Sequence, residues 1–410
     1  MGKLKFDPSP GDSSRGIGEV FRIEWPRLVA TLTGRYRDLN LAEEAASEAV
    51  LEAVSAWGEG LPANPGGWLM TTANRKAIDR LRRESRRDAK YAEAVVGASV
   101  PEPTHRVEDD QLRLIFMCCH RALAPEVRLA LTLRMVSGLT VEEIARGLLV
   151  SEAAIGQRIT RAKTKIRGAK IPFAVPENLE ERLADVLAVI YVVFNEGYLP
   201  GGASELRVDL SDEAIRLSRL VHALMPGELE AQGLLALVLL TDARRAARVD
   251  EAGELVTLDA QDRSLWNAAQ LAEGHALVRA CVASYRPGPY QLQAAINAVH
   301  TSAPHFQLTD WAALYTLYDQ LYALQPQPIV ALNRAVVTAE LRGPEVSLAE
   351  IDDLPLSNYH AFHAARAELL RRVGRIDEAR AAYTRAIELA SNVAEVRHLT
   401  RRLGDLGVDA

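Results

Sequence analysis

Four apolar residues, Ile155, Ile159, Ala162 and Ile166, recur at intervals of four, three and four. That spacing buries one stripe of a helix and turns Ala154, Arg158, Arg161 and Lys165 to the opposite side. Upstream, Thr140 with Glu143 three residues on has the form of a capping box, opening a first helix through Val141, Ile144 and Ala145. Gly147 to Val150 supply a short turn, and Ser151 stands where a second N-cap belongs. Residues 139–167, LTVEEIARGLLVSEAAIGQRITRAKTKIR, therefore read as a helix-turn-helix with a basic outer face on its second helix. A helix held this way fits the major groove, its N-terminal residues near base edges and its later Arg and Lys on phosphates. A plain helical hairpin with a solvated basic face is the alternative. It does not account for capping box, short turn and one-sided charge occurring together.

A net charge of −6 argues against a nucleic-acid binder only if it is evenly spread. Residues 1–170 hold 27 Lys plus Arg against 22 Asp plus Glu, whereas the remainder holds 21 against 32. A basic front and an acidic back suggest that only the front meets DNA. The length of 410 residues allows two or three domains, and 48% hydrophobic with 25% charged residues excludes wholesale disorder. No apolar run approaches the roughly 20 residues of a membrane span, and the N-terminus lacks the apolar core of a signal peptide. A cytoplasmic protein is expected. Cys118, Cys119 and Cys281 form no disulfide framework. Consecutive helical residues diverge, so Cys118, Cys119 and His120 cannot converge on one metal without partners from elsewhere, and the two cysteines read as small buried thiols. Phosphate loops, zinc-protease motifs and nucleophile elbows are missing from the sequence, so no cofactor, metal or catalytic residue is expected.

Strand signals are scarce, and helical periodicity is nearly continuous. A first module spans 16–87, a Pro-containing linker 88–111 and a second module 112–170, with the next helix starting near Gln111. In DLNLAEEAASEAVLEAVSAW, Asn40 and Glu43 suit a cap, and Ala46, Val50, Val54 and Trp57 an apolar face. Glu44, Glu48 and Glu52 make an acidic stripe, either a solvated face or a docking surface for a basic partner. In WLMTTANRKAIDRLRRESRR, Leu69, Ala73, Ala77 and Leu81 face inward, and Lys76, Arg80, Arg83 and Arg87 make a cationic face suited to a nucleic-acid backbone. Trp68, after the loop GEGLPANPGG, is either a core anchor or a ring for an unstacked base.

In this order and spacing the segments resemble the sigma factors of bacterial RNA polymerase, specifically the short extracytoplasmic-function type, over residues 17 to 167. The resemblance implies a role for each segment. Glu44, Glu48 and Glu52 would dock on the clamp helices of the polymerase core. The loop from Gly58 to Gly67 would help hold a base extruded from the −10 element, and Asn74, Arg75, Asp79 and Arg80 would follow the opened strand. The helix from Ser151 would read the −35 element through Glu152, Ala154, Gln157, Arg158 and Arg161. Small Ala153 and Ala154 at its tip depart from the usual pattern. The linker would pass through the RNA exit channel.

From 177 to 410 the chain continues with helical periodicity, interrupted by a short hairpin reading at Val249 to Leu258. FHAARAELLRRVGRIDEARAAYTRAIELA, residues 362–390, resembles one tetratricopeptide repeat through Ala367, Gly374, Ala379, Tyr383 and Ala386. Residues 331–343 read as a degenerate neighbour. YVVFNEGYLPGG, residues 191–202, ends a helix at Asn195, Glu196 and Gly197, leaving Phe194 and Tyr198 beside polar groups. This is either a C-cap loop or a regulatory contact. The expectation is an all-α chain: two small helical sigma modules, the second a helix-turn-helix, then a helical-pair, tetratricopeptide-like domain that regulates in cis. Its partners would be core RNA polymerase and promoter DNA. A helix-turn-helix operator-binding regulator with an effector-sensing repeat domain is the competing expectation.

Overall fold

The computed structural model describes residues 10–57, 60–85, 106–148, 150–198, 205–250, 254–283, 287–390 and 392–406. The fold is all-α, and the strand content among the described residues is one antiparallel bridge, Val249 to Leu255. That bridge supports the hairpin reading, although its turn residues 251–253 lie outside the described ones. None of the described helices is long and apolar enough to cross a membrane. The chain divides into two compact units, Met1–Val192 and Val193–Ala410.

The first unit is built on α1 (Pro10–Tyr36), which packs against α2 (Leu39–Ala56), α3 (Pro65–Ser85) and α4 (Arg106–Cys118). Arg37, at φ 55, breaks α1 sharply, and the next residue caps the new helix. The N-cap of α2 is Asp38, not Asn40: its carboxylate accepts from the amides of Asn40 at 2.8 Å and Leu41 at 3.1 Å. The buried face of α2 is alanine-lined, through Ala42, Ala45, Ala46, Ala49 and Ala53, because small residues let helices approach closely. Val54, expected inside, is 56% exposed, and Leu51 is 68% exposed. On α3 Leu69, Ala73 and Ala77 are buried as the pattern predicts.

α4 begins earlier than Gln111, at Arg106. It leads into α5 (Pro125–Met135), α6 (Val141–Gly147) and α7 (Glu152–Gly168). Cys118 and Cys119 are buried, and burial raises both thiols, Cys119 to about 11. α8 (Leu179–Tyr198) crosses the unit boundary, so the division falls later than the composition change near 177. Its first turns belong to the first unit: Arg182 donates to the Phe116 carbonyl at 3.3 Å, and Asp185 accepts from Arg128 at 3.3 Å.

The second unit continues with α9 (Glu205–Leu224), α10 (Leu229–Asp242), α11 (Ala268–Val282) and α12 (Pro289–Ser302). α10 is apolar all round and sits centrally among α9, α11 and α12. Then come α13 (Trp311–Leu324), α14 (Pro328–Arg342), α15 (Pro344–Asp352), α16 (His360–Arg372), α17 (Ile376–Leu389) and α18 (Val393–Asp405), each packed on the next. The repeat-like segment is the α16–α17 pair. Gly374 turns it at φ 78, and Ala367, Ala379, Tyr383 and Ala386 are buried within it. Residues 331–342 fall in α14, which pairs with α15 across Gly343 at φ 95.

Candidate nucleic-acid interface

Local capping fixes the entry of both helices of the helix-turn-helix. Glu143 donates its amide to the Thr140 hydroxyl at 3.1 Å, and its carboxylate accepts the Thr140 amide at 2.7 Å. The Ser151 hydroxyl accepts the Ala154 amide at 3.2 Å and starts α7. Ile155, Ile159, Ala162 and Ile166 are buried, and α7 lies across α5 and α6. Ser151, Glu152, Gln157, Arg161 and Lys165 are exposed, while Ala154 and Arg158 are half-buried. The exposed face thus carries two side chains able to read base edges, Gln157 and Arg158, ahead of two cations suited to phosphate.

In the first module the acidic stripe of α2 and the cationic face of α3 meet each other. Arg80 reaches Glu44 at 2.6 Å and Glu48 at 3.1 Å, while Glu52 takes Arg75 at 2.5 Å and Lys76 at 2.8 Å. Lys76 first, and Arg75 after it, hold the Glu52 carboxyl below its ordinary range. Asp79 and Arg83 are exposed on α3, and Arg87 lies outside the described residues. Asn74 points inward: its side-chain oxygen accepts from Arg35 at 2.9 Å and from the Tyr36 hydroxyl at 2.7 Å. Trp68 is half-buried in an aromatic group, 5.3 Å edge-to-face from Trp57, which stacks on Phe21 at 5.6 Å. Gly58 and Glu59 of the preceding loop, and 88–105 of the linker, lie outside the described residues.

One charge cluster escaped the sequence reading. Glu43, freed from capping, is buried between Arg134 of α5, at 2.6 Å, and Lys163 of α7. The Arg134 guanidinium also stacks 5.3 Å over Trp25 of α1, whose indole donates to the Arg134 carbonyl at 3.1 Å. Gly138 completes the contact at φ 74; a Cβ there would stand 2.8 Å from Trp25 Cγ. Lys163 follows Ile159 by four residues and precedes Ile166 by three, so it flanks the buried stripe. That register was the available signal that it faces protein.

In the second unit Phe194 is buried, and Tyr198 stacks on it at 5.1 Å. α8 runs through Asn195, Glu196 and Gly197 to Tyr198, with this i,i+4 pair on one face, and does not end at residues 195–197. Asn195 is exposed, whereas Glu196 and Gly197 are half-buried. The Tyr198 hydroxyl donates to the Thr241 carbonyl at 2.9 Å, and burial raises its pKa.

Comparison with known proteins identifies the two front modules. The family model described as Sigma-70 region 2 matches residues 21–87, and that described as Sigma-70, region 4, matches residues 113–166. An ECF RNA polymerase sigma factor, SigK of Mycobacterium sp. strain JLS, is 30% identical over 154 residues, 35% of this chain and 76% of its own length. The chain belongs to the extracytoplasmic-function sigma factors. SigK of Mycobacterium tuberculosis strain ATCC 25177 / H37Ra is 31% identical over 168 residues, 38% of this chain and 87% of its own. Sigma factors of this family act in transcription initiation with core RNA polymerase and promoter DNA. Residues 182–282 match a family of unknown function, DUF6596. An uncharacterised protein of Rhizobium meliloti strain 1021 is 44% identical over 398 residues, 94% of both chains, and so shares the helical extension of this sigma factor. No solved structure matches.

Proposed function

We propose that this sigma factor docks on core polymerase through α2, follows the opened −10 strand with α3 and reads the −35 element with α7. Exposed Leu51 and Val54 beside the acidic stripe support docking, since apolar side chains at a rim of charge suit a protein partner. In this reading Arg75, Lys76 and Arg80 leave the α2 carboxylates for the opened strand, joined by exposed Asp79 and Arg83 and with Trp68 at its edge; Asn74 positions Arg35 and Tyr36 behind them.

The observation that carries the mechanism is the convergence of both reading helices on adjacent residues of α2. Lys163 of α7 holds Glu43, and Arg80 of α3 holds Glu44. Elements named −10 and −35 lie about 25 base pairs apart, or about 85 Å at about 3.4 Å per pair. Helices meeting at neighbouring residues do not span that distance, so this is the resting arrangement and promoter engagement opens it. The helical extension regulates this opening in cis.

The test is transcription with purified core polymerase and a genomic promoter library. Promoter-specific transcripts from the full chain, lost on Arg158→Ala plus Arg161→Ala, are expected. Specific DNA binding without core, and no core-dependent transcript, would instead favour an operator-binding regulator. Comparison with a chain ending at Tyr198, which keeps α8 whole, measures the extension's effect. Equal transcription and equal DNA affinity from both would overturn regulation in cis.

A further inference from the structure

The second unit holds a cluster of arginines that, among the described residues, no carboxylate pairs with. Arg244 follows α10, Arg248 lies four residues later, and Arg263 precedes α11. The Arg248 guanidinium stacks 3.8 Å from the Tyr198 ring centroid and donates to the Tyr198 carbonyl at 2.6 Å. Arg263 stacks 4.5 Å over Trp266 and donates to the carbonyls of His300 at 2.9 Å and Ala303 at 2.6 Å. Arg244 donates to the Asn297 side-chain oxygen at 3.3 Å. Rings and neutral oxygens hold each guanidinium in place, which positions the charge without cancelling it.

Nearby acid does not alter this count. Asp242 is spent on Arg245, which it meets at 2.5 Å and which also pairs with Asp212 at 2.7 Å. The carbonyls serving Arg248 and Arg263 are at the ends of α8 and α12, and a helix C-terminus supplies only about half a negative charge. Two such ends offset about one of the three charges, leaving roughly two. Among the described residues, Arg244 Nε and Arg263 Nη2 are buried donors with no acceptor, and His300 Nδ1 beside them is also unpaired. Buried polar atoms are ordinarily satisfied, so the two guanidinium donors, with the ring nitrogen beside them, mark where a polar group binds.

We propose that Arg244, Arg248 and Arg263, with Asn297 and His300, form a binding site for a small oxyanion, a phosphate- or carboxylate-bearing ligand. Guanidiniums recognise either group through paired N–H donors. The site lies wholly in the second unit, and the inference does not rest on the reading of the front modules.

Calorimetric titration of the full chain with inorganic phosphate, pyrophosphate and succinate tests it. Saturable binding is expected, weakened at least about tenfold by Arg244→Gln, the scale of one lost charge-assisted hydrogen bond. Arg334→Gln, remote in the α13–α14 pair, leaves binding unchanged. Should Arg244→Gln fail to fold by circular dichroism, Arg248→Gln takes its place, with the same loss expected. Tighter binding of the phosphates than of succinate identifies a phosphate ligand, and the reverse order a carboxylate. Absence of saturable binding by all three up to about 10 mM, where affinity is only about −3 kcal/mol, overturns the proposal, as does binding indifferent to both arginine variants.

Discussion

Glu43 and His300 answer opposite electrostatic problems. Glu43 is a buried carboxylate stabilised by two cations from distant parts of the first unit. Glu43→Gln leaves Arg134 and Lys163 together without their anion. A cost of about 3 kcal/mol is expected, the scale of breaking a buried pair, seen as a lower unfolding midpoint of the first unit. His300 is held neutral: burial first, then Arg244 and Arg263, pushes it down to about 4 from 6.5. The unfolded chain therefore takes up this proton before the folded one as pH falls. Its contribution is complete above about pH 6.5 and is lost progressively toward pH 4, on the order of 3 kcal/mol. Denaturant titrations across that range should show the loss, and His300→Gln should flatten it. Neither environment was legible in the sequence. Glu43 sits 91 residues from Arg134, and spacing along one helix cannot reveal a partner on another.

Elements whose determinants are local were readable; those set by packing were not. Thr140, Glu143 and Ser151 fix the starts of α6 and α7 through hydrogen bonds spanning three residues, so the helix-turn-helix was visible in sequence. The stripe at Ile155, Ile159, Ala162 and Ile166 was equally plain, because period alone decides it. In α2 the same logic misplaced the cap and, of the apolar face, Val54, while Ala46 and Trp57 are buried as expected. Asp38 won because Arg37 turns the chain immediately before it, and the alanines went inside because three helices crowd there. The α16–α17 turn is another local determinant. A Cβ on Gly374 would meet nothing within 4 Å, so Gly374→Ala isolates the strain of φ 78. It should lower the unfolding free energy of the second unit by about 1 kcal/mol without changing its helix content, measurable by urea titration.

At the scale of the whole molecule, α3 and α7 each hold a carboxylate of α2, through Arg80 and Lys163, and the proposed opening of α7 from α2 is directly measurable. Ser55 on α2 and Thr164 on α7 are exposed, and Cys118, Cys119 and Cys281 are buried, so dyes on Ser55→Cys and Thr164→Cys label selectively. Energy transfer in the free chain should fall on adding core polymerase and promoter DNA; unchanged transfer would mean that the modules stay packed. The ion pairs of the resting chain carry a further consequence, for the ionic atmosphere of DNA. A cation that comes to DNA from water expels a condensed counterion, and each such contact adds about 0.9 to the slope of log affinity against log salt. Arg75, Lys76, Arg80 and Lys163 come instead from carboxylates of α2. Where such a carboxylate then draws a cation from solution, the ion freed by the phosphate is taken up again and the slope cancels. Promoter binding by the holoenzyme should thus respond to salt less steeply than its number of phosphate contacts implies. In the free chain, where docking on core plays no part, Glu44→Gln with Glu52→Gln should steepen the salt dependence of binding to a duplex of any sequence. On this proposal the acidic stripe screens the cations of α3 from duplex DNA of any sequence.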